Sequence, residues 1–182
     1  MLPETDTEII TYAYYDSPVG VLKIGGTEQY ITEISFAAKE TEPGFNATAP
    51  SPILHKCTEQ LIEYFSGTRQ VFDIPYHQAG TEFQEKVWAK LSEINYGATY
   101  SYTDLAKKLG DPKVIRAAAA ANGKNKLMIL VPCHRVIGAD RSLVGYAGGM
   151  PVKKWLLQHE FRIKHGVQTL FKFLGSLMQV NT

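Results

Sequence analysis

"SYTDLAKKLGDPKVIRAAAAANGKN", Ser101 to Asn125, decides how the second half of this chain is read. A short helix is predicted from about Tyr102 to Leu109, where Gly110, Asp111 and Pro112 interrupt it, and a second from near Lys113 to Asn122 and Gly123. Two short helices about a glycine-containing turn outline a helix-turn-helix, whose second helix is the one laid against DNA. That helix carries five consecutive alanines, Ala117 to Ala121, directly after Arg116. Small side chains let a backbone approach a surface closely, yet they equally suit a helix packed in a core, alanine being the best helix former. Lys113, Arg116, Lys124 and Lys126 flank the run and favour the nucleic-acid reading.

The charge of the chain supports the same reading. Residues 1–79 hold four Lys and Arg against eleven Asp and Glu, a net of −7, whereas residues 80–165 hold fourteen against seven, a net of +7. A basic half beside an acidic one suggests a polyanionic partner for the basic half. With 182 residues, 45% of them hydrophobic and 20% charged, the chain can bury a core without staples. No apolar run approaches the ~18 residues of a membrane span, and no signal segment opens the sequence, so an intracellular protein is expected.

Upstream, Thr81 and Gln84 match a capping box, and Phe83, Val87, Trp88, Leu91 and Ile94 form one apolar stripe before Gly97. The first half opens with β-rich segments broken at Ser17 to Gly20 and at Gly25-Gly26, the punctuation of an antiparallel meander. A loop is expected over 37–52. Ile53, Leu54, Cys57, Leu61, Tyr64 and Phe65 then recur at helical spacing up to Gly67, and "TRQVFDIPYHQAG" (68–80) reads as one more strand and a linker.

Downstream lies "LVPCHRVIG", Leu130 to Gly138. With Cys57 and Cys133 alone, the chain has no disulfide framework and no thiolate zinc site, and its five histidines show no metal-ligand spacing. Cys57 reads as a core thiol on a helix. A working Cys133 nucleophile needs a base, and His134 is adjacent, with Glu160 a candidate carboxylate to orient it. Neighbours on an extended strand point to opposite faces, so the Cys–His link would need a turn or a bridging water. A possible Cys–His–carboxylate site and a buried structural cysteine both remain open at this level.

"PCHRVIG" (132–138) resembles the active-site signature of the O6-alkylguanine-DNA alkyltransferases, the methylated-DNA–protein-cysteine methyltransferases. The resemblance extends over residues 80–125 and through "GYAGGMPVKKWLLQHE" (145–160), and "SPVGVLKI" (17–24) is similar to the family's N-terminal domain. It implies an α/β (α+β) fold: an N-terminal domain of antiparallel sheet and helix (1–78) and a helical DNA-binding and alkyl-acceptor domain with a helix-turn-helix (79–165). The tail (166–182) lies outside the resemblance; the spacing of Leu170, Phe171, Leu174, Leu177 and Met178 suits an amphipathic helix packed on the protein body.

By the same resemblance Cys133 accepts the alkyl group, His134 removes its proton through a water, Glu160 holds the imidazole, and Asn125 braces the turn. Tyr102 rotates the phosphate and hydrogen-bonds N3 of the flipped guanine. Arg116 fills the space that guanine leaves, and Ala117, Ala118, Ala121, Tyr102 and Arg135 complete the DNA-binding set. Val136, Val144, Tyr146 and Ala147 line the guanine pocket. No cofactor, metal, membrane or obligate protein partner is implied. The expected reagent is a monomer spent after one transfer from O6-alkylguanine, or O4-alkylthymine, in duplex DNA, cytoplasmic in a prokaryote and nuclear in a eukaryote. A lesion-binding protein without transfer, a thiol hydrolase and a helix-turn-helix transcription factor are the rival readings.

Overall fold

The computed structural model describes residues 9–37 and 51–166. Strands β1 (Thr11–Ser17), β2 (Gly20–Gly26) and β3 (Ile31–Phe36) form an antiparallel meander in that order. The β1–β2 turn is held by Ser17, whose hydroxyl donates to the Gly20 carbonyl and accepts from the Val19 amide. The Gly25-Gly26 pair, expected to be a turn, instead lies within β2 at a register shift, and the chain reverses at Thr27 to Tyr30. Close approach is what these glycines provide: a Cβ on Gly25 would lie 2.9 Å from the Tyr12 ring and one on Gly26 2.9 Å from the Tyr30 carbonyl.

Helix α1 (Pro52–Ser66) covers the sheet. Ser51 caps its first turn, and Gly67, at φ 83°, ends it with amide bonds back to the last turn. Its stripe of Ile53, Leu54, Cys57, Leu61, Tyr64 and Phe65 is buried, as the spacing requires, against Leu22, Ile24, Ile31 and Ile34. Most of the loop expected at 37–52 lies outside the described residues, as does the tail after Gly166.

The strand expected within 68–80 does not form. The segment makes one isolated parallel bridge, Tyr76 to Ile31, because Pro75 accepts from the Ile31 amide but has no N–H to extend a ladder. On the same strand, Ile34 donates to Lys126 and accepts from Met128. β3 thus joins the sheet to the segment that leads into "PCHR".

Helices α2 (Glu82–Ser92), α3 (Tyr102–Lys108) and α4 (Ile115–Gly123) pack on one another, and α5 (Met150–His165) closes the fold against α1. The capping box at Thr81 and Gln84 is present. A 3-10 turn, Pro112–Val114, precedes α4, so the second helix starts later than predicted; Asp111 caps that turn through the Lys113 amide. The Trp88 indole donates to the Ala121 carbonyl at 2.9 Å and fixes α4 on α2. Two-residue strands β4 (Tyr100–Ser101) and β5 (Val136–Ile137) pair in parallel, which sets Tyr102, the first residue of α3, beside the turn that carries Cys133.

Candidate active site

Cys133 opens a 3-10 turn, Cys133–Arg135, rather than lying on an extended strand. The turn lets Cys133, His134 and Arg135 all be buried, and it is braced from outside. Asn125 donates to the Val131 carbonyl at 2.8 Å while its carbonyl oxygen accepts from the Leu127 amide and from Gln78. Between those anchors Ile129 sits at φ 72°, a left-handed conformation that costs a β-branched residue about 1–3 kcal/mol and persists only where surroundings impose it.

Cys133 faces a cavity of about 510 Å³ lined by Tyr102, Ile115, Arg116, Ala119, Asn122, Gly123, Asn125, Val144, Gly145, Tyr146 and Ala147. Burial raises the thiol pKa, and the Asn125 side chain and the Lys153 charge pull it back. Cys57, wholly buried on α1, has no such help and is pushed up to about 12. Tyr102 and Tyr146 are both raised by burial and by the nearby thiol, so both phenols keep their protons. The Tyr102 hydroxyl accepts from Asn122 at 3.3 Å.

Behind the thiol, His134 Nε2 lies 2.7 Å from Glu160 Oε1, both residues being fully buried. Glu160 accepts from five donors: His134, the Tyr64 hydroxyl at 2.8 Å and Arg135 Nη2 at 3.0 Å on Oε1, Arg135 Nε at 2.9 Å and the Gly97 amide at 3.1 Å on Oε2. Burial alone would raise its carboxyl, but His134 and Arg135 outweigh that and hold it well below the usual range. With Glu160 an acceptor, His134 donates from Nε2, leaving Nδ1 bare. That atom is buried and has no protein partner. Burial also lowers the His134 pKa, against the pull of Glu160, so the imidazole is a neutral acceptor of one proton.

Three expected DNA contacts are corrected. Arg135 turns inward, with Nη1 on the Ile94 carbonyl at 2.6 Å and two bonds to Glu160. A buried carboxylate needs a paired cation, and that need outweighs any surface role. Ala118 and Ala121 face the core, 0% and 3% exposed, because a helix has one outward face; Arg116, Ala117 and Ala120 occupy it, with Ala119 toward the cavity. Val136 does not line the cavity: its side chain is buried and its carbonyl receives Lys153 Nζ at 2.6 Å.

Lys153 went unread in the sequence. Fully buried, it also donates to the carbonyls of Val144 at 2.7 Å and Gly145 at 3.4 Å, tying the cavity wall to the strand after Cys133. Burial lowers its pKa to about 8, partly offset by the thiol. The signal was available. Lys153, Leu156, Leu157 and Glu160 recur at i, i+3, i+4 and i+7, so two ionisable residues lie on the buried stripe of α5. Tyr64 and the backbone of Gly97 were also missed.

Residues 82–162 match the family description "6-O-methylguanine DNA methyltransferase, DNA binding domain", and residues 10–77 its ribonuclease-like domain. The chain belongs to the 6-O-methylguanine DNA methyltransferase family. The methylated-DNA–protein-cysteine methyltransferase of Methanosarcina acetivorans is 40% identical over 82% of this chain and 97% of its own length. The constitutive enzyme of that name from Bacillus subtilis is 42% identical over 82% and 94%. The crystal structure of Mycobacterium tuberculosis O6-methylguanine methyltransferase superposes with a TM-score of 0.76 at 38% identity, covering 90% of this chain and 99% of that one. The same protein in complex with DNA gives 0.75 at 38% identity over 88% and 98%. The fold is therefore the mixed α/β fold of this methyltransferase family, and its helical part is a DNA-binding domain.

Proposed function

We propose that this protein repairs DNA directly, moving the alkyl group from O6 of a guanine, flipped out of the duplex, onto Cys133. One observation carries the reading: the Cys133 thiol faces a cavity edged by the outward face of the helix-turn-helix, with a neutral histidine and a saturated carboxylate behind it. A base inside the stack is out of reach of any thiol, so extrusion is required. Arg116, exposed at the cavity rim, is the side chain placed to fill the gap, and Ala117 lets the duplex approach the helix.

In the transfer the Cys133 proton passes to His134 Nδ1 through a bridging water. The sulfur then attacks the alkyl carbon, an S–C bond forms, the C–O6 bond breaks, and its electron pair leaves with guanine. Tyr102, still protonated, hydrogen-bonds N3 and eases that departure. Val144, Tyr146 and Ala147 bound the guanine. The thioether has no leaving path, so each chain acts once, as an intracellular monomer with residues 1–78 and 79–165 as its domains. Intact mass and peptide mapping after incubation with excess O6-methylguanine duplex test this. One methyl per chain on Cys133 is expected; an unmodified thiol in folded, reduced, DNA-bound protein would make it a lesion binder.

A further inference from the structure

Tyr64 lies 96 residues from Glu160 in the chain and belongs to the sheet-covering helix α1, yet its hydroxyl reaches the carboxylate behind His134. The stripe of α1 that buries Cys57 and Leu61 also buries Tyr64, and its ring is clasped by Phe65, Phe72, Tyr96 and His159. Its backbone carbonyl bonds His159 Nε2 at 2.8 Å, so one residue stitches α1 to α5 at two points. Burial raises its own pKa well above 10 and Glu160 adds to the rise, so the hydroxyl keeps its proton and donates throughout.

We propose that Tyr64 is a positioning residue for the alkyl transfer: by donating to Glu160 Oε1 it holds the carboxylate in place and draws off part of its charge, which keeps His134 a neutral base. The proposal rests on the reading of Cys133 as the alkyl acceptor. The charge argument is local. The groups facing the imidazole are Glu160 and Lys153 from α5, Arg135 and Cys133 from its own turn, Tyr64 from α1 and, beyond Arg135, Tyr96. Arg135 already neutralises the carboxylate through two bonds. The charge left on Oε1 is shared between the Tyr64 hydroxyl and the His134 N–H, so removing the hydroxyl makes Oε1 a stronger acceptor. A stronger acceptor raises the proton affinity of the imidazole.

Tyr64→Phe in the full-length protein removes the hydroxyl and keeps the ring. Two readouts are compared with wild type: the His134 ring nitrogens titrated by 15N NMR, and the single-turnover rate of methyl transfer from an O6-methylguanine duplex across pH. In Tyr64→Phe both the imidazole midpoint and the acid limb of the rate profile should move up by about half a unit to one unit, the scale of one net hydrogen bond. Duplex affinity should stay unchanged. Identical titration in both proteins, whether a shared midpoint or none, overturns the proposal. So does a rate loss of equal size at every pH, which Tyr64→Leu, lacking the ring, would show for a packing role alone. If wild type takes no methyl, the reading of Cys133 fails, while the NMR titration still decides the role of Tyr64.

Discussion

Arg135 supplies two of the five hydrogen bonds on Glu160, and its guanidinium also caps the Ile94 carbonyl and stands over the Tyr96 ring, 5.6 Å from its centroid. Arg135→Met therefore leaves a buried carboxylate with no cation, a loss of about 3–5 kcal/mol that urea unfolding would record. Lys153→Met strands three backbone carbonyls, of Val136, Val144 and Gly145, and frees the cavity wall. Transfer from DNA should fall by at least about tenfold, while the cost in stability, at most about 1–3 kcal/mol, is offset by removing a buried charge. The pH dependence follows from the histidine. His134 has a folded pKa below 6.5, so the unfolded chain binds its proton more readily; stability is full above 6.5 and falls as the pH drops below it. Glu160, depressed below 4.5, adds a second loss beneath that value. Thermal unfolding from pH 8 to pH 5 should show the first decline in wild type and a shallower one in His134→Gln.

Among the elements, α4 shows how one helix serves two surfaces. Ala118→Leu should overpack the contact with α2 and α3 and cost about 1–3 kcal/mol with little change in DNA affinity per folded molecule. Ala117→Glu, on the exposed face, should leave stability within about 0.5 kcal/mol and weaken duplex binding by repelling phosphate. Arg116→Ala should slow repair in duplex far more than transfer from a free alkylguanine base; equal slowing of both would remove its flipping role. The helix-turn-helix was legible because glycine and proline punctuate it, whatever surrounds them. Which alanines face out was also implicit in a period of 3.6. The strand expected over 68–80 was not cancelled by local composition alone: Pro75 blocks a ladder only once the segment lies along β3.

At the scale of the molecule, the cations around the second helix of the helix-turn-helix stand apart from the rest. Lys23, Lys56 and Arg69 in the first half and Lys86, Lys90 and Arg135 in the second are paired with acids of their own half, whereas Lys113, Arg116, Lys124 and Lys126 make no ion pair among the described residues. That charge is free for phosphates, so log Kd should change linearly with log salt, and replacing Lys113 and Lys124 with alanine should lower the slope by about one to two. A flat salt response would contradict the basic-face reading. The acidic half is more than a counterweight: β3 carries Lys126 to Met128 on its backbone, and Phe36 lies so close to Gly148 that a Cβ there would meet it at 2.2 Å. Through α1 and Tyr64 it also reaches the carboxylate behind the histidine.

What the sequence determined by itself is whatever depends on near neighbours: the meander, the capping box at Thr81 and Gln84, and the helix-turn-helix, which follow from spacing, turn chemistry and side-chain type acting over a few residues. The roles of Cys133, His134 and Glu160 came from the family resemblance of the motif, because spacing alone left a buried structural cysteine open. The tertiary structure alone decided the inward turn of Arg135, the clamp at Lys153, the amide of Gly97 on Glu160 and the reach of Tyr64. Each answers the same physical demand, that a buried carboxylate and the carbonyls of an irregular loop be fully hydrogen-bonded. The donors that meet it come from residues up to 96 positions away, brought together only by packing.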